Sequence, residues 1–307
     1  MPIRIPKAIP AYDILASENI FVIPLARADK QDIRPIEIAI VNLMPTKIET
    51  ETQLLRLLSN TPLQVNLTLV KTASYSGKNT AVEHMERFYK TFEDIKNTKF
   101  DGMIVTGAPV ETLPFEDVLY WEELVKIMDY AESNVTSSIF ICWGAQAALY
   151  HYYGINKHLL PNKMFGIYSN MRVTSYDPLL KGLNDRFNIP QSRHTSIDED
   201  AVRNHPDLQV IAEGKDCGIS IIKSKDSKKF FFTGHSEYDR DTLKTEYLRD
   251  VSKGLPIAQP VNYFVNGNID NVDMSWNSTG NLLFYNWLNH YVYQVTPFKL
   301  EAESEGN

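Results

Sequence analysis

The chain has 307 residues, of which 43% are apolar and 22% charged, and a formal net charge of −7. These values are ordinary for a soluble globular protein with a sizeable core that needs no disulfide or metal staple. The acidic balance argues against a nucleic-acid partner, whose electrostatic footprint is basic, but leaves room for an anionic cosubstrate held by a local cationic cluster.

Pro2, Pro6 and Pro10 predict an extended arm laid on the body. Lys7, Asp13 and Glu18 interrupt the apolar residues of this segment, so it lacks a signal-peptide layout. No stretch approaches the roughly 18 apolar residues of a membrane span. The expected location is cytoplasmic, with no membrane partner. The mostly apolar run 36–43 predicts a strand. Thr46 and Glu49 have capping-box spacing, so a helix is expected there, with Ile48, Leu55 and Leu58 on one face. Residues 64–70 alternate as a strand, and 81–97 predict a helix with Met85, Phe88 and Phe92 as its stripe. Strand 101–106 ends at Gly107, a long helix is expected over 115–131, strand 138–141 follows, and 145–152 reads as helix. Strands that alternate with helices imply parallel pairing with helices on both faces. The fold class is therefore α/β, a doubly wound, flavodoxin-like parallel sheet. The second half is less regular. It offers strands over 165–173, 208–213, 218–223 and 228–233, and helices over 242–253 and 280–293. One domain over residues 1–298 and a loose acidic tail over 299–307 complete the organisation.

Two segments carry chemistry. In Ser138-Ile139-Phe140-Ile141-Cys142-Trp143-Gly144-Ala145-Gln146 a buried strand runs straight into a cysteine, and a helix of small residues follows. In a doubly wound sheet the carboxyl ends of strands open into the ligand crevice. A residue on such a sharp turn presents its side chain there, and a helix N-terminus favours a thiolate and offers N–H groups to an oxyanion. A core cysteine at a strand end would look similar. The second segment, Gly234-His235-Ser236-Glu237, also ends an apolar strand. Residues two apart in extended backbone point the same way, so Glu237 can polarise His235 while the imidazole faces a thiol. Taken alone, this pair reads as a surface histidine beside a surface glutamate. Together the two strand ends supply a cysteine, a base and a carboxylate. Cys217 sits in a turn with no base nearby in sequence and reads as structural. Neither cysteine has metal-ligand spacing, so no metal is expected.

The Cys142 and His235 segments resemble class I glutamine amidotransferases, although Phe140 stands where those enzymes usually carry glycine and Trp143 is unusual after the cysteine. A fuller resemblance is to the homoserine O-acyltransferase family of methionine biosynthesis. It rests on Met1–Pro6, Asn42-Leu43-Met44-Pro45-Thr46-Lys47, Gly107-Ala108-Pro109-Val110-Glu111, Ile141–Gln146, Ser192-Arg193-His194 and Gly234-His235-Ser236-Glu237-Tyr238. The resemblance implies ping-pong acyl transfer. Cys142 attacks the thioester of an acyl-CoA. His235, oriented by Glu237, then deprotonates the hydroxyl of L-homoserine. It further implies that Lys47 and the backbone N–H of Trp143 face the oxyanion, and that Lys163, Ser192 and Arg249 bind the amino acid. Arg249 can grip an α-carboxylate in bidentate fashion; in isolation it reads as a solvated helix charge, and Lys47 as a first-turn lysine. Glu111 matches the position that selects the acyl donor, glycine accompanying succinyl-CoA and glutamate acetyl-CoA. Acetyl-CoA is therefore the expected cosubstrate, with no tightly bound cofactor and with a homodimer implied. Succinyl transfer by the same enzyme, glutamine amidotransferase-like hydrolysis and a non-catalytic binding module on this fold are the alternatives.

Overall fold

The computed structural model describes residues 3–18, 22–24, 34–74, 81–174 and 176–296. The expected tail lies outside them. The strands are β1 (Ile3–Ile5), β2 (Val22–Pro24), β3 (Ile36–Val41), β4 (Val65–Val70), β5 (Tyr89–Lys90), β6 (Phe100–Val105), β7 (Val135–Ile141), β8 (Lys157–Arg172), β9 (Arg186–Ile197), β10 (Leu208–Gly214), β11 (Gly218–Ser224) and β12 (Lys229–Phe232). The α-helices are α1 (Pro10–Ser17), α2 (Lys47–Leu58), α3 (Val82–Phe88), α4 (Phe92–Ile95), α5 (Trp121–Asn134), α6 (Trp143–Tyr153), α7 (Glu199–Asn204), α8 (Thr242–Ser252) and α9 (Asn277–Asn286), the last continuing as a π-helical segment over Trp287–Tyr293.

All strands join one sheet in the order β2-β1-β4-β3-β6-β7-β12-β11-β10-β8-β9, with β5 paired to β4. From β2 to β12 the pairing is parallel. Beyond β12 it turns antiparallel through β11, β10, β8 and β9. The expected parallel sheet is thus only its first part, and the whole is mixed. The reason is local: β10, β11 and β12 follow one another through short turns, which allow only antiparallel neighbours.

Side chains alternate across the parallel strands and divide the core into two layers. Ile38, Ile40, Ile104, Ile139, Ile141, Phe230 and Phe232 pack beneath α1, α2 and α9. Ala39, Val41, Met103, Val105, Phe140 and Phe231 pack against α5 and α6 on the other face. The central strands β6 and β7 are buried on both sides because helices cover both. A third cluster joins Phe165, Ile167, Tyr238, Leu243, Tyr263 and Trp276 between the antiparallel wing and α8.

Several local expectations change. The proline-rich arm is built into the sheet and into α1, whose first residue is Pro10. Thr46 precedes α2 but its side chain makes no capping bond. The single helix over 81–97 is interrupted at Tyr89-Lys90, which pairs with Leu69-Val70. Thr91 and Asp94 then restart it, the Asp94 carboxylate accepting from the Thr91 amide and hydroxyl at 2.7 Å each. The helix expected from Phe115 begins at Trp121, after two turns that bring Phe115 onto Tyr150 and Trp121. Among the described residues no helix is long and apolar enough to cross a membrane.

Candidate active site

Cys142 stands between the last residue of β7 and the first of α6 with φ of 50° and ψ of −114°, a conformation uncommon for a residue with a side chain. Its amide donates to the Phe232 carbonyl at 2.7 Å, so the elbow remains attached to the sheet. The turn is tight enough that a β-carbon on Gly144 would lie 2.6 Å from the Thr106 carbonyl oxygen. Only glycine lets α6 start so close to the end of β6. The first amides of α6, beginning with Trp143, point to where Cys142 stands. The indole of Trp143 is buried beside Phe115 and Tyr120 instead.

β12 runs parallel to β7 and ends in register with it, Phe232 opposite Ile141. The turn after β12 therefore comes down beside the elbow. Its amide at His235 donates to the Pro190 carbonyl of β9 at 2.8 Å. His235 Nδ1 pairs with Glu237 Oε1 at 2.7 Å, which leaves Nε2 for other partners. Tyr238 stacks on the imidazole at a ring distance of 4.1 Å and an angle of 12°. A β-carbon on Gly107 would lie 3.3 Å from Cys142 Cβ and 3.6 Å from His235 Cε1, so the two side chains flank one bare glycine. Burial alone would lower the basicity of His235. The Cys142 sulfur and the Glu237 carboxylate outweigh it, and the imidazole is held well above its ordinary value.

Cys142, His235 and Glu237 line a cavity of about 630 Å³. Lys163, Ser192 and Arg249 line it too. Lys163 reaches it because β8 and β9 lose register between Leu159 and Met164, so that an irregular segment carries the lysine out of the ladder. These three residues meet on two carboxylates of α8. Glu246 accepts from Ser192 Oγ at 2.9 and 3.0 Å and from Lys163 Nζ at 2.7 Å. Asp250 accepts from Arg249 Nε at 2.7 Å. Glu246 and Asp250 were not singled out by sequence. The only available signal was helical spacing, which places 246, 249 and 250 on one side of α8.

Glu111 also lines the cavity. Its Oε2 accepts from the His194 amide at 2.8 Å, the Thr195 amide at 3.2 Å and Thr195 Oγ1 at 3.1 Å. Lys47 is placed differently. Its ammonium donates to the Asn42 carbonyl, and its side chain is not among those that line the cavity. It belongs to a buried network in which Asn42 donates to Tyr89 Oη at 2.9 Å, Tyr89 donates to Glu51 at 2.5 Å and Glu51 contacts His84 at 3.0 Å. This network braces the segment Met44–Thr46, which forms one cavity wall.

Burial pushes Lys47 down to about 8, against the pull of Glu51. The unfolded chain keeps the lysine proton up to the ordinary value near 10.5, so between about 8 and 10.5 the unfolded state binds more protons and stability rises with pH. Thermal melting should therefore show the protein gaining stability relative to Lys47→Met as pH is raised through that window. A difference that does not change with pH would contradict it.

Cys217 is buried within 3.5 Å of Asn170 and Ser220, and burial raises its thiol, in keeping with a structural role. Among the described residues no group of acidic, histidine and cysteine side chains is arranged to hold a metal.

Comparison with known proteins gives the family and the fold. The family described as homoserine O-succinyltransferase matches residues 2–298. A homoserine O-acetyltransferase of Shouchella clausii is 53% identical over 302 residues, 98% of each chain. Homoserine O-acetyltransferases of Ilyobacter polytropus and Brevibacillus brevis are each 52% identical, over 98% and 99% of this chain and 100% and 99% of theirs. Among solved structures, a glutamine amidotransferase from Thermotoga maritima superposes with a TM-score of 0.59 at 11% identity, covering 85% of this chain and 99% of that one. One from Methylobacillus flagellatus gives 0.53 at 13% identity, covering 84% and 95%. At these identities the likeness is one of fold, an α/β architecture of the class I glutamine amidotransferase kind.

Proposed function

The chain belongs to the homoserine O-acyltransferase family, and from that premise we propose that it moves an acetyl group from acetyl-CoA to the hydroxyl of L-homoserine through a thioester on Cys142. The observation that carries this reading is the buried Cys142–His235–Glu237 constellation at the end of a cavity whose other side holds paired cations and carboxylates. A zwitterionic amino acid suits such a surface.

In the first half-reaction the Cys142 thiolate attacks the thioester carbonyl, and the developing oxyanion is met by the Trp143 amide at the start of α6. Lys47 would contribute only on leaving the Asn42 carbonyl. The C–S bond to CoA breaks, and the CoA thiolate takes the proton of the His235 imidazolium. In the second half-reaction His235 Nε2 removes the hydroxyl proton of homoserine, the alkoxide oxygen attacks the acyl-cysteine, and the Cys142 thiolate leaves. Glu237 on Nδ1 keeps Nε2 aimed at the reacting atoms. One thioester replaces another in the first step, so the intermediate stays reactive toward an alcohol.

Arg249 and Lys163 suit the substrate carboxylate. Glu246, which already accepts from Ser192 and Lys163, suits the α-ammonium. Glu246→Gln is therefore expected to raise KM for homoserine about 10- to 100-fold with a smaller change in kcat, the size of one charged hydrogen bond. Steady-state kinetics at varied homoserine would check this, and an unchanged KM would remove Glu246 from the amine site. The function itself is tested by following free CoA thiol with homoserine and either acetyl-CoA or succinyl-CoA. Release with acetyl-CoA is the expected result. Release with succinyl-CoA alone would overturn the donor, and homoserine-independent ammonia release from glutamine would point to a hydrolase.

A further inference from the structure

Arg193 is only 1% exposed, yet no carboxylate of the described residues lies within ion-pair distance of it. All its recorded hydrogen bonds go to neutral acceptors. Nε donates to Gln191 Oε1 at 3.0 Å, one terminal nitrogen to the Thr195 carbonyl at 2.9 Å and the other to the Cys217 carbonyl at 2.8 Å. A buried guanidinium without an anionic partner is costly to desolvate. These acceptors lead to both catalytic turns. The Thr195 carbonyl also receives Gln146 Nε2 at 3.4 Å, and the one Thr195 hydroxyl proton is shared between Gln146 Oε1 at 2.9 Å and Glu111 Oε2 at 3.1 Å. The Gln146 amide in turn bonds the Cys142 carbonyl at 3.1 Å. On the other side, Gln191 follows Pro190, whose carbonyl holds the His235 amide.

We propose that Arg193 is a positioning residue of this active site, whose buried guanidinium ties the Cys142 turn to the His235 turn through β9 and keeps a fixed positive charge behind the nucleophile. This rests on the reading of Cys142 as nucleophile and extends it to a residue that does not touch the reacting atoms. The electrostatics agree. Burial lowers the guanidinium from its ordinary value, and the largest opposing pull is that of Cys142, ahead of Cys217, Glu111 and Glu199. An arginine so placed remains charged. His235, with Glu237 and Tyr238 behind it, and Arg193 all interact with the Cys142 sulfur, and Arg193 brings a buried positive charge that does not itself exchange protons during turnover.

The test is the pH dependence of iodoacetamide alkylation at Cys142 in the full chain, read by peptide mass spectrometry. Arg193→Met is expected to move the alkylation midpoint upward by about one pH unit, which slows alkylation about tenfold on the acid limb below the midpoint. Arg193→Lys, which keeps the charge, is expected to stay close to the parent. If Arg193→Met does not fold, Arg193→Gln replaces it. A folded neutral variant with the parent's profile would overturn the proposal. So would an Arg193→Lys profile shifted as far as that of the neutral variant, or failure of both neutral variants to fold, which would make Arg193 a residue of stability alone. Alkylation needs no acyl donor. A parent that releases no CoA would therefore sink the acyl-transfer reading and leave this comparison intact.

Discussion

Replacing Cys142 with alanine is expected to lower homoserine-dependent CoA release by roughly 10⁴- to 10⁶-fold, the range seen when the nucleophile of a catalytic triad is removed. The side chain is buried just after β7 and differs from alanine by a single sulfur atom, so folding should survive. Circular dichroism and melting close to the parent would separate lost chemistry from lost structure. Two features explain the size of the effect. Cys142 stands at the N-terminus of α6, and His235 lies across the bare face of Gly107. Neither can help a direct attack of homoserine on acyl-CoA without a nucleophile between them. Activity within about tenfold of the parent in Cys142→Ala would show that no acyl-cysteine is needed.

The second large effect concerns the acyl donor. Glu111→Gly is expected to shift the ratio of kcat/KM for succinyl-CoA over acetyl-CoA by about 10²- to 10³-fold toward succinyl-CoA. In the parent, the Glu111 carboxylate is fixed by three donors of β9, the amides of His194 and Thr195 and the Thr195 hydroxyl. A succinyl chain reaching the same region would bring a second carboxylate against it. Like charges so placed cost several kcal/mol, which is the basis of the range given. Removing the side chain does more than relieve repulsion. It leaves the His194 and Thr195 amides without the Glu111 acceptor, while the Thr195 hydroxyl keeps Gln146, and a succinyl carboxylate can take the place of the lost one. Glu111→Gln is informative here, because it removes the charge and keeps the bulk. It should weaken discrimination without producing a good succinyl-CoA enzyme. Kinetics with both donors on both variants would check this, and an unchanged ratio in Glu111→Gly would mean that the donor is chosen elsewhere.

The parts of this site that sequence made legible are those written in local patterns. Apolar runs ending at Ile141 and Phe232 predict two strands, and the turns just after them carry the proposed nucleophile and base. Their meeting requires β7 and β12 to be parallel neighbours in matched register, which they are. What remained hidden depends on pairing between distant segments. β9 mixes polar and apolar residues, and nothing local marks it as a strand. It is held in place by a long hairpin with β8. Its residues Pro190 to Thr195 nevertheless supply the acceptor for the His235 amide, the donors on Glu111 and the buried Arg193. Tyr89 is a similar case. Helical periodicity over 81–97 was sound as a pattern, but the pairing of Tyr89-Lys90 with β4 and the buried hydrogen bonds of Tyr89 outweighed it. Lys47 shows the limit of motif reasoning. Its position in α2 follows the pattern, while the direction of its ammonium is set by the Asn42 carbonyl and the Glu51 network.

The central claim is a covalent acyl-enzyme, and the most direct test is to mix the protein with acetyl-CoA in the absence of homoserine and measure its intact mass. One added acetyl group per chain, located on the peptide that contains Cys142 and discharged on addition of L-homoserine, is the predicted result. CoA release on adding homoserine with no acetylated protein beforehand, or an acetyl group on any other residue, would contradict it.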